Sequence, residues 1–205
     1  MRETANILHV QGYAVLSIDF RGHGQSTPAG KSFGLFEADD AHAALAWLRK
    51  ANPGVRTGAI GFSLGGAASL LGSNGPLDVD ALVLEGVYPD IRHAIFNRLA
   101  VRLGRWPAAI IEPFLTYQSL PRFGVWPSAI SPQRALEHVR MPVMVVGGAE
   151  DHNTPPDETR MMYNAVKTHG EFHILAGMNH DDLGRQVPED FKVALLAFLR
   201  RNLKT

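Results

Sequence analysis

The sequence lacks cysteine, net charge and long apolar runs, and each absence excludes a class of protein. Without cysteine the chain has no disulfide bonds and no thiolate chemistry, although its redox compartment stays undetermined. Twenty acidic residues balance 20 basic ones, which argues against nucleic acid as a partner. No apolar run reaches the roughly 18 residues of a membrane-spanning helix, and residues 1–8 lack a signal-peptide core. We therefore expect no membrane segment, and we take the cytoplasm only as a default location.

The overall composition of the chain is typical of a globular protein. With 205 residues, 45% of them hydrophobic and 20% charged, the chain fits a single α/β domain over residues 1–205. His152 and the carboxylates near it form only a weak metal-ligand set. Gly22-x-Gly24 lacks the third glycine of a dinucleotide-binding fingerprint. We therefore expect neither a metal nor a cofactor, and the oligomeric state is left open.

Apolar runs alternate with amphipathic stretches along most of the chain, which predicts a mostly parallel sheet flanked by helices. The predicted strands cover residues 13–20, 58–60, 81–87, 142–148 and 171–176. The predicted helices cover residues 3–11, 38–50, 157–169 and 189–202.

Residues 88–140 break this alternation and are rich in proline, arginine and aromatic residues. We interpret them as a small helical cap inserted into the domain, and a plain helical connection that packs on the sheet is the alternative. The cap contains an aromatic cluster of Trp106, Phe114, Tyr117 and Trp126. These rings either line an apolar pocket beneath the cap or pack against one another within it.

One glycine-rich motif, residues 61–66, joins a strand-like stretch to a helix-compatible one. A sharp strand-to-helix turn here holds Ser63 in a strained conformation, and flanking glycines remove side chains that would clash. The hydroxyl then stands at the carboxyl edge of the sheet, above a helix N-terminus that favours negative charge. The alternative is that Ser63 is only a small residue in a turn.

Two later loops follow predicted strands and so lie at the same edge of the sheet. The first contains Asp151, with Glu150 as its rival, and the second contains His180, followed by Asp181 and Asp182. A hydroxyl, an imidazole and a carboxylate are the groups that nucleophilic acyl transfer requires. Periodicity alone does not select His180 from the nine histidines of the chain.

The order of these motifs resembles that of the α/β-hydrolase superfamily, in its aminopeptidase-like and small-esterase branch. The matching segments are residues 12–16, 19–26, 61–66, 148–151 with Pro155, and 177–180. They span nearly the whole chain, and together they are specific although each alone is weak. The resemblance implies Ser63 as nucleophile, Asp151 as orienting acid, His180 as base and the Leu64 N–H as one oxyanion donor.

The sequence departs from the family at its beginning. The family places about three strands before the first helix, and the loop after the third supplies a second oxyanion N–H. The resemblance also implies that this third strand lies between residues 13–20 and 59–62, so its loss leaves a gap inside the sheet. We expect an N-terminally truncated α/β-hydrolase-like fold; the alternatives are that the two strands pair directly or that a partner chain supplies a strand.

The function that the resemblance implies is a serine hydrolase that cleaves a small ester, thioester or peptide-like acyl bond through an acyl-serine intermediate. The alternative is a catalytically impaired or non-catalytic α/β-hydrolase-like fragment that lacks part of the oxyanion hole. A third possibility is a perhydrolase or acyltransferase that passes the same acyl group to another acceptor. The expected partner is a small-molecule acyl substrate.

Overall fold

Four short strands form one parallel sheet in the computed structural model, which describes residues 1–204. Their spatial order follows the chain: β1 (Gly58–Phe62), β2 (Ala81–Glu85), β3 (Val143–Gly148) and β4 (Gly170–Leu175). Every residue of β2 and β3 is buried, as expected for apolar strands covered on both faces. The predicted parallel α/β fold is confirmed.

Helices cover both faces of this sheet. In chain order they are α1 (Arg2–Val10), α2 (Glu37–Ala51), α3 (Leu64–Ala68), α4 (Ile91–Leu103), α5 (Arg105–Thr116), α6 (Ser119–Phe123), α7 (Pro132–Leu136), α8 (Pro156–Asn164), α9 (His180–Leu183) and α10 (Glu189–Leu203), with a 3-10 turn at Pro127–Ala129. Among residues 1–204, no helix is both long and apolar enough to cross a lipid bilayer.

The helix predicted over 157–169 is shorter than expected, because α8 ends at Asn164. The next residues form tight turns, in which the Val166 N–H bonds to the Tyr163 carbonyl and the His169 N–H bonds to the Val166 carbonyl. These turns bury Val166 against Gly170, where β4 begins.

Alternating side chains of the sheet enter two separate cores. Leu82, Leu84 and Val145 pack with α3, α4 and α8 on one face, where Leu70, Ile91 and Met162 are buried. Val83, Met144 and Val146 pack with α1, α9 and α10 on the other face, where Leu8, Leu183 and Phe198 are buried. The period-2 alternation of the strands thus places the chain's apolar residues on both sides of one central layer.

The strand predicted at residues 13–20 is wrong. This segment has no regular secondary structure, and Val15, Leu16 and Ile18 are about two-fifths exposed. A groove of about 770 Å³ separates it from β1. The two segments therefore do not pair directly, which excludes one of the three explanations for the gap. An apolar run has the composition of a strand, but a strand forms only beside a partner with which its N–H and C=O groups can bond.

The connection between β2 and β3 is helical, as expected, and contains α4 to α7. Neither interpretation of its aromatic cluster is correct. Trp106, Phe114, Tyr117 and Trp126 are 84%, 73%, 55% and 59% exposed, so they neither line a pocket nor pack within the segment. Whether the segment acts as a cap stays a prediction.

Candidate active site

Ser63 occupies a sharp turn between β1 and α3. Its backbone has φ 48° and ψ −111°, a conformation that residues other than glycine rarely adopt and that costs roughly 1–3 kcal/mol. The turn is fixed to the neighbouring strand, because the Ser63 N–H donates to the Glu85 carbonyl at 2.8 Å. Such strain persists only where the surrounding structure enforces it.

His180 lies between Ser63 and Asp151 and contacts both. Its Nε2 is 3.1 Å from Ser63 Oγ, and its Nδ1 is 2.7 Å from Asp151 Oδ2. Because an ionised carboxylate can only accept, this pattern assigns the proton to Nδ1 and leaves Nε2 free to accept from the serine hydroxyl. The arrangement can therefore remove a proton from Ser63.

The local sequence around His180 holds its imidazole in place. The Asn179 side chain accepts from the N–H groups of Asp181 and Asp182, and the Asp182 carboxylate accepts from the Asn179 N–H, which makes a reciprocal cap at the start of α9. The Phe62 ring lies 5.0 Å from the imidazole centroid, tilted by 42°. The imidazole is thus positioned by the helix cap on one side and by the end of β1 on the other.

Asp151 is buried, and four donors satisfy its carboxylate. The backbone N–H groups of Asn153 and Thr154 both donate to Oδ1 at 2.8 Å, and the Thr154 hydroxyl donates to Oδ2 at 2.6 Å. His180 is the fourth donor. Burial raises the pKa of Asp151, but the hydrogen bonds from His180 and Thr154 outweigh it, so the pKa lies below its ordinary value. Asp151 is therefore ionised at neutral pH.

The structure brings together Ser63, Asp151 and His180, and not their rivals. Glu150 and Asp181 are exposed. The Asp182 carboxylate caps the start of α9. The His173 ring lies on β4, where it faces the Glu171 carboxylate. Ser63, Asp151 and His180 follow β1, β3 and β4 respectively, at the carboxyl edge of the sheet. Open α/β sheets bind ligands at this edge.

Thr154 is a site residue that sequence analysis missed. Besides its bond to Asp151, its hydroxyl lies 3.3 Å from His180 Nδ1. The signal was present, because an aspartate that begins a tight turn accepts N–H bonds from the two or three residues that follow it. Pro155 marks the end of that turn in the sequence.

Replacing Thr154 by Val is expected to destabilise the fold by about 1.5–3 kcal/mol at neutral pH, because a hydrogen bond to a buried carboxylate is lost. A carboxyl with a depressed folded-state pKa adds stability above its unfolded pKa of roughly 3.9, and this stability is lost as pH falls through the folded pKa. The difference between the variant and the wild type should therefore shrink in acid. Urea unfolding across pH measures it, with exposed Thr168→Val as the control. A difference that is constant with pH would contradict this account.

Glu85 is a second buried carboxyl close to Ser63. It lies at the end of β2, is 2% exposed, and its Oε2 has no hydrogen-bond partner among residues 1–204. Burial raises the pKa of Glu85 to about 7, although the positive amino terminus nearby lowers it. The side chain is thus neutral below that pH. Sequence analysis missed it, since a glutamate within an apolar run gives no sign of its surroundings.

Replacing Glu85 by Gln is expected to flatten the pH dependence of stability. A carboxyl with a raised folded-state pKa adds stability that is complete below its ordinary pKa of 4.5 and is lost as pH rises through about 7. The loss is on the order of 3 kcal/mol. The variant should match the wild type below pH 4.5 and exceed its melting temperature above pH 7, whereas exposed Glu137→Gln should follow the wild type throughout. Parallel curves for Glu85→Gln and the wild type would show that folding leaves the pKa of Glu85 unchanged, and would contradict this account.

The groove beside β1 reaches the serine. Its lining includes Ser63, Leu64 and Gly65 on one side and Phe20 and His23 on the other. Within residues 1–204, no cluster of three histidine, aspartate or glutamate side chains is placed to hold a metal ion.

Comparison with known proteins gives one family match and one curated relative. The profile of the serine aminopeptidase S33 family matches residues 1–122. The uncharacterized protein YqkD of Bacillus subtilis is 26% identical over 174 residues, which are 82% of this chain and 56% of that protein. The chain thus spans little more than half the length of this relative.

Solved structures show the same architecture. The Pyrococcus furiosus esterase Pf2001 superposes with a TM-score of 0.74 at 23% identity, over 99% of this chain and 76% of the esterase. A bromoperoxidase from Bacillus anthracis superposes with a TM-score of 0.62 at 19% identity, over 95% of this chain and 84% of that enzyme. These similarities establish the α/β-hydrolase fold.

Proposed function

The chain belongs to the serine aminopeptidase S33 family of α/β-hydrolases, and on that premise we propose that it is a serine hydrolase that cleaves a small ester, thioester or peptide-like acyl bond through an acyl-Ser63 intermediate. The observation that carries the proposal is the hydrogen-bonded series Ser63–His180–Asp151, with separations of 3.1 Å and 2.7 Å. Nucleophile, base and orienting acid lie within the reach that proton transfer requires.

The first half of the reaction transfers the acyl group to the enzyme. Ser63 Oγ attacks the carbonyl carbon while His180 Nε2 takes the hydroxyl proton, and Asp151 stabilises the imidazolium that forms. The bond to the leaving alcohol, thiol or amine then breaks, and His180 returns the proton to that leaving group. The products of this half are the acyl-Ser63 ester and the released leaving group.

The second half releases the acid. Water attacks the acyl-Ser63 carbonyl as His180 takes its proton, and the proton then passes to Ser63 Oγ as the ester bond breaks. The oxyanion that forms in both halves is stabilised by backbone N–H groups. The Leu64 N–H is the proposed donor. Leu64 is the first residue of α3, so its N–H has no acceptor within the helix.

A catalytically impaired protein is the second candidate function. The groove beside Ser63 favours it, since Ser63 and Leu64 line an open cleft, in which an oxyanion is less enclosed by donors than in a narrow pocket. Removal of one oxyanion donor costs about 10²–10³-fold in turnover. On this alternative, Ser63 is still nucleophilic, but acyl transfer is slow.

Labelling with a fluorophosphonate probe tests the proposal directly. The folded protein should be labelled, Ser63→Ala should abolish labelling, and exposed Ser73→Ala should leave it unchanged. Hydrolysis of p-nitrophenyl esters then separates the two candidates, because an impaired protein would be labelled without multiple turnovers. Absence of labelling in folded protein, or labelling that persists in Ser63→Ala, would contradict both.

A further inference from the structure

One face of α5, continued by Tyr117 directly after the helix, is apolar and exposed. Trp106, Ile110, Phe114 and Tyr117 are 84%, 68%, 73% and 55% exposed. Their spacing of four, four and three residues places them along one side of the helix, within an arc of roughly 80° at 3.6 residues per turn. We refer to these four residues as the α5 stripe.

The opposite face of α5 is polar and buried, the reverse of an ordinary surface helix. Ala108, Glu112 and Thr116 face inward. Arg92 of α4 donates to both carboxylate oxygens of Glu112, at 3.0 Å and 3.1 Å, and the Thr116 hydroxyl donates to the same carboxylate at 2.6 Å. This bidentate ion pair joins the inward face of α5 to α4, and the stripe on the opposite face of α5 therefore points outward.

The exposed charges of residues 101–126, the segment that contains the stripe, have one sign. Arg102, Arg105 and Arg122 are all exposed. Residues 101–126 contain no aspartate, and their one glutamate is the buried and paired Glu112. The segment therefore combines exposed aromatic rings with three exposed arginines and no exposed acid of its own. Amphipathic helices that lie in the headgroup region of anionic membranes have this composition.

We propose that the α5 stripe and its three arginines form a docking surface for an anionic lipid bilayer, with α5 lying in the plane of the headgroups. The indole and phenol rings enter the interface, where such rings are stable, and the guanidinium groups contact lipid phosphates. A second copy of the chain is a poorer occupant. A two-fold contact through this face would bring together two copies of a segment that has three exposed arginines and no exposed acid.

Sedimentation with lipid vesicles tests the proposal. The protein should bind vesicles of mixed phosphatidylcholine and phosphatidylglycerol, and bind vesicles of phosphatidylcholine alone far more weakly. Arg102→Gln with Arg105→Gln should weaken binding by about 25-fold, which is roughly five-fold for each arginine. Added salt should weaken the wild type more than this double variant, because salt screens surface charge.

Substitutions within the stripe test its apolar part. Trp106→Ser with Phe114→Ser should reduce vesicle binding by about 100-fold or more, because the apolar area buried in the interface is removed. Trp47→Ser is the matched control, since Trp47 is 61% exposed but lies on α2. In a variant that keeps Trp106 as its one tryptophan, the emission should shift to the blue when anionic vesicles are added.

Three results would overturn the proposal. The first is equal binding to neutral and anionic vesicles, and the second is equal loss of binding in Trp47→Ser and in the stripe variant. The third is absence of vesicle binding together with a dimer, detected by sedimentation equilibrium, that the stripe variant abolishes. That last result would assign the surface to a second copy of the chain. Circular dichroism of each variant confirms that it is folded, as expected for substitutions at exposed positions.

Discussion

Replacement of Asp151 by Asn is expected to lower kcat for ester hydrolysis by about 10⁴-fold while leaving KM nearly unchanged. The carboxylate accepts the His180 Nδ1–H at 2.7 Å and so selects the tautomer in which Nε2 can take the serine proton. An amide at this position presents an N–H to Nδ1, which moves the imidazole proton to Nε2. Nε2 then faces Ser63 as a donor and cannot act as a base.

The adjacent carboxylate provides the control for this prediction. Glu150 precedes Asp151 in the same loop and has the same charge, but it is exposed and outside the hydrogen-bonded series. Glu150→Gln should therefore keep the wild-type kcat, and fluorophosphonate labelling should be slowed in Asp151→Asn but not in Glu150→Gln. Similar losses in both variants would mean that the loop contributes through its overall charge, and the proposed orienting role of Asp151 would be wrong.

The sequence predicts those parts of the fold that local patterns determine. Strands β2 and β3 begin and end close to their predicted bounds, because a continuous apolar run buried on both faces is specified by its own residues. Residues 13–20 have the same kind of pattern but no strand partner. Pairing depends on a second segment at the right place, and an apolar pattern contains no information about that segment.

The candidate site divides in the same way. The loops that contain Ser63, Asp151 and His180 follow strands, so their common edge is predictable from the order of elements alone. Thr154 and Glu85 were missed because their importance comes from burial beside a charged or reactive group, which only the tertiary structure reveals. The exposure of Trp106 and Phe114 was missed for the opposite reason. Aromatic composition predicts burial, whereas the buried face of α5 contains Glu112, which is paired with Arg92.

Replacement of Gly61 by Ala is expected to destabilise the fold by about 3 kcal/mol or more. A Cβ atom at residue 61 would lie 2.5 Å from both the Cα and the N of Gly66, and 2.7 Å from the carbonyl carbon of Gly65. All three atoms belong to the backbone of α3, so no side chain can rotate to make room. The helix would have to move away from β1, and the turn at Ser63 would move with it.

The neighbouring glycine of the same motif shows that this effect comes from position and not from glycine content. A Cβ at residue 65 would meet only the Phe20 ring, at 3.5 Å, which is an ordinary contact. Gly65→Ala should therefore fold at least as stably as the wild type, with a gain of up to about 1 kcal/mol because alanine favours helix. Urea unfolding compares the two variants, and fluorophosphonate labelling should be lost in Gly61→Ala along with the Ser63–His180 contact. If Gly61→Ala kept both wild-type stability and labelling, β1 and α3 could not be packed as closely as the turn at Ser63 requires.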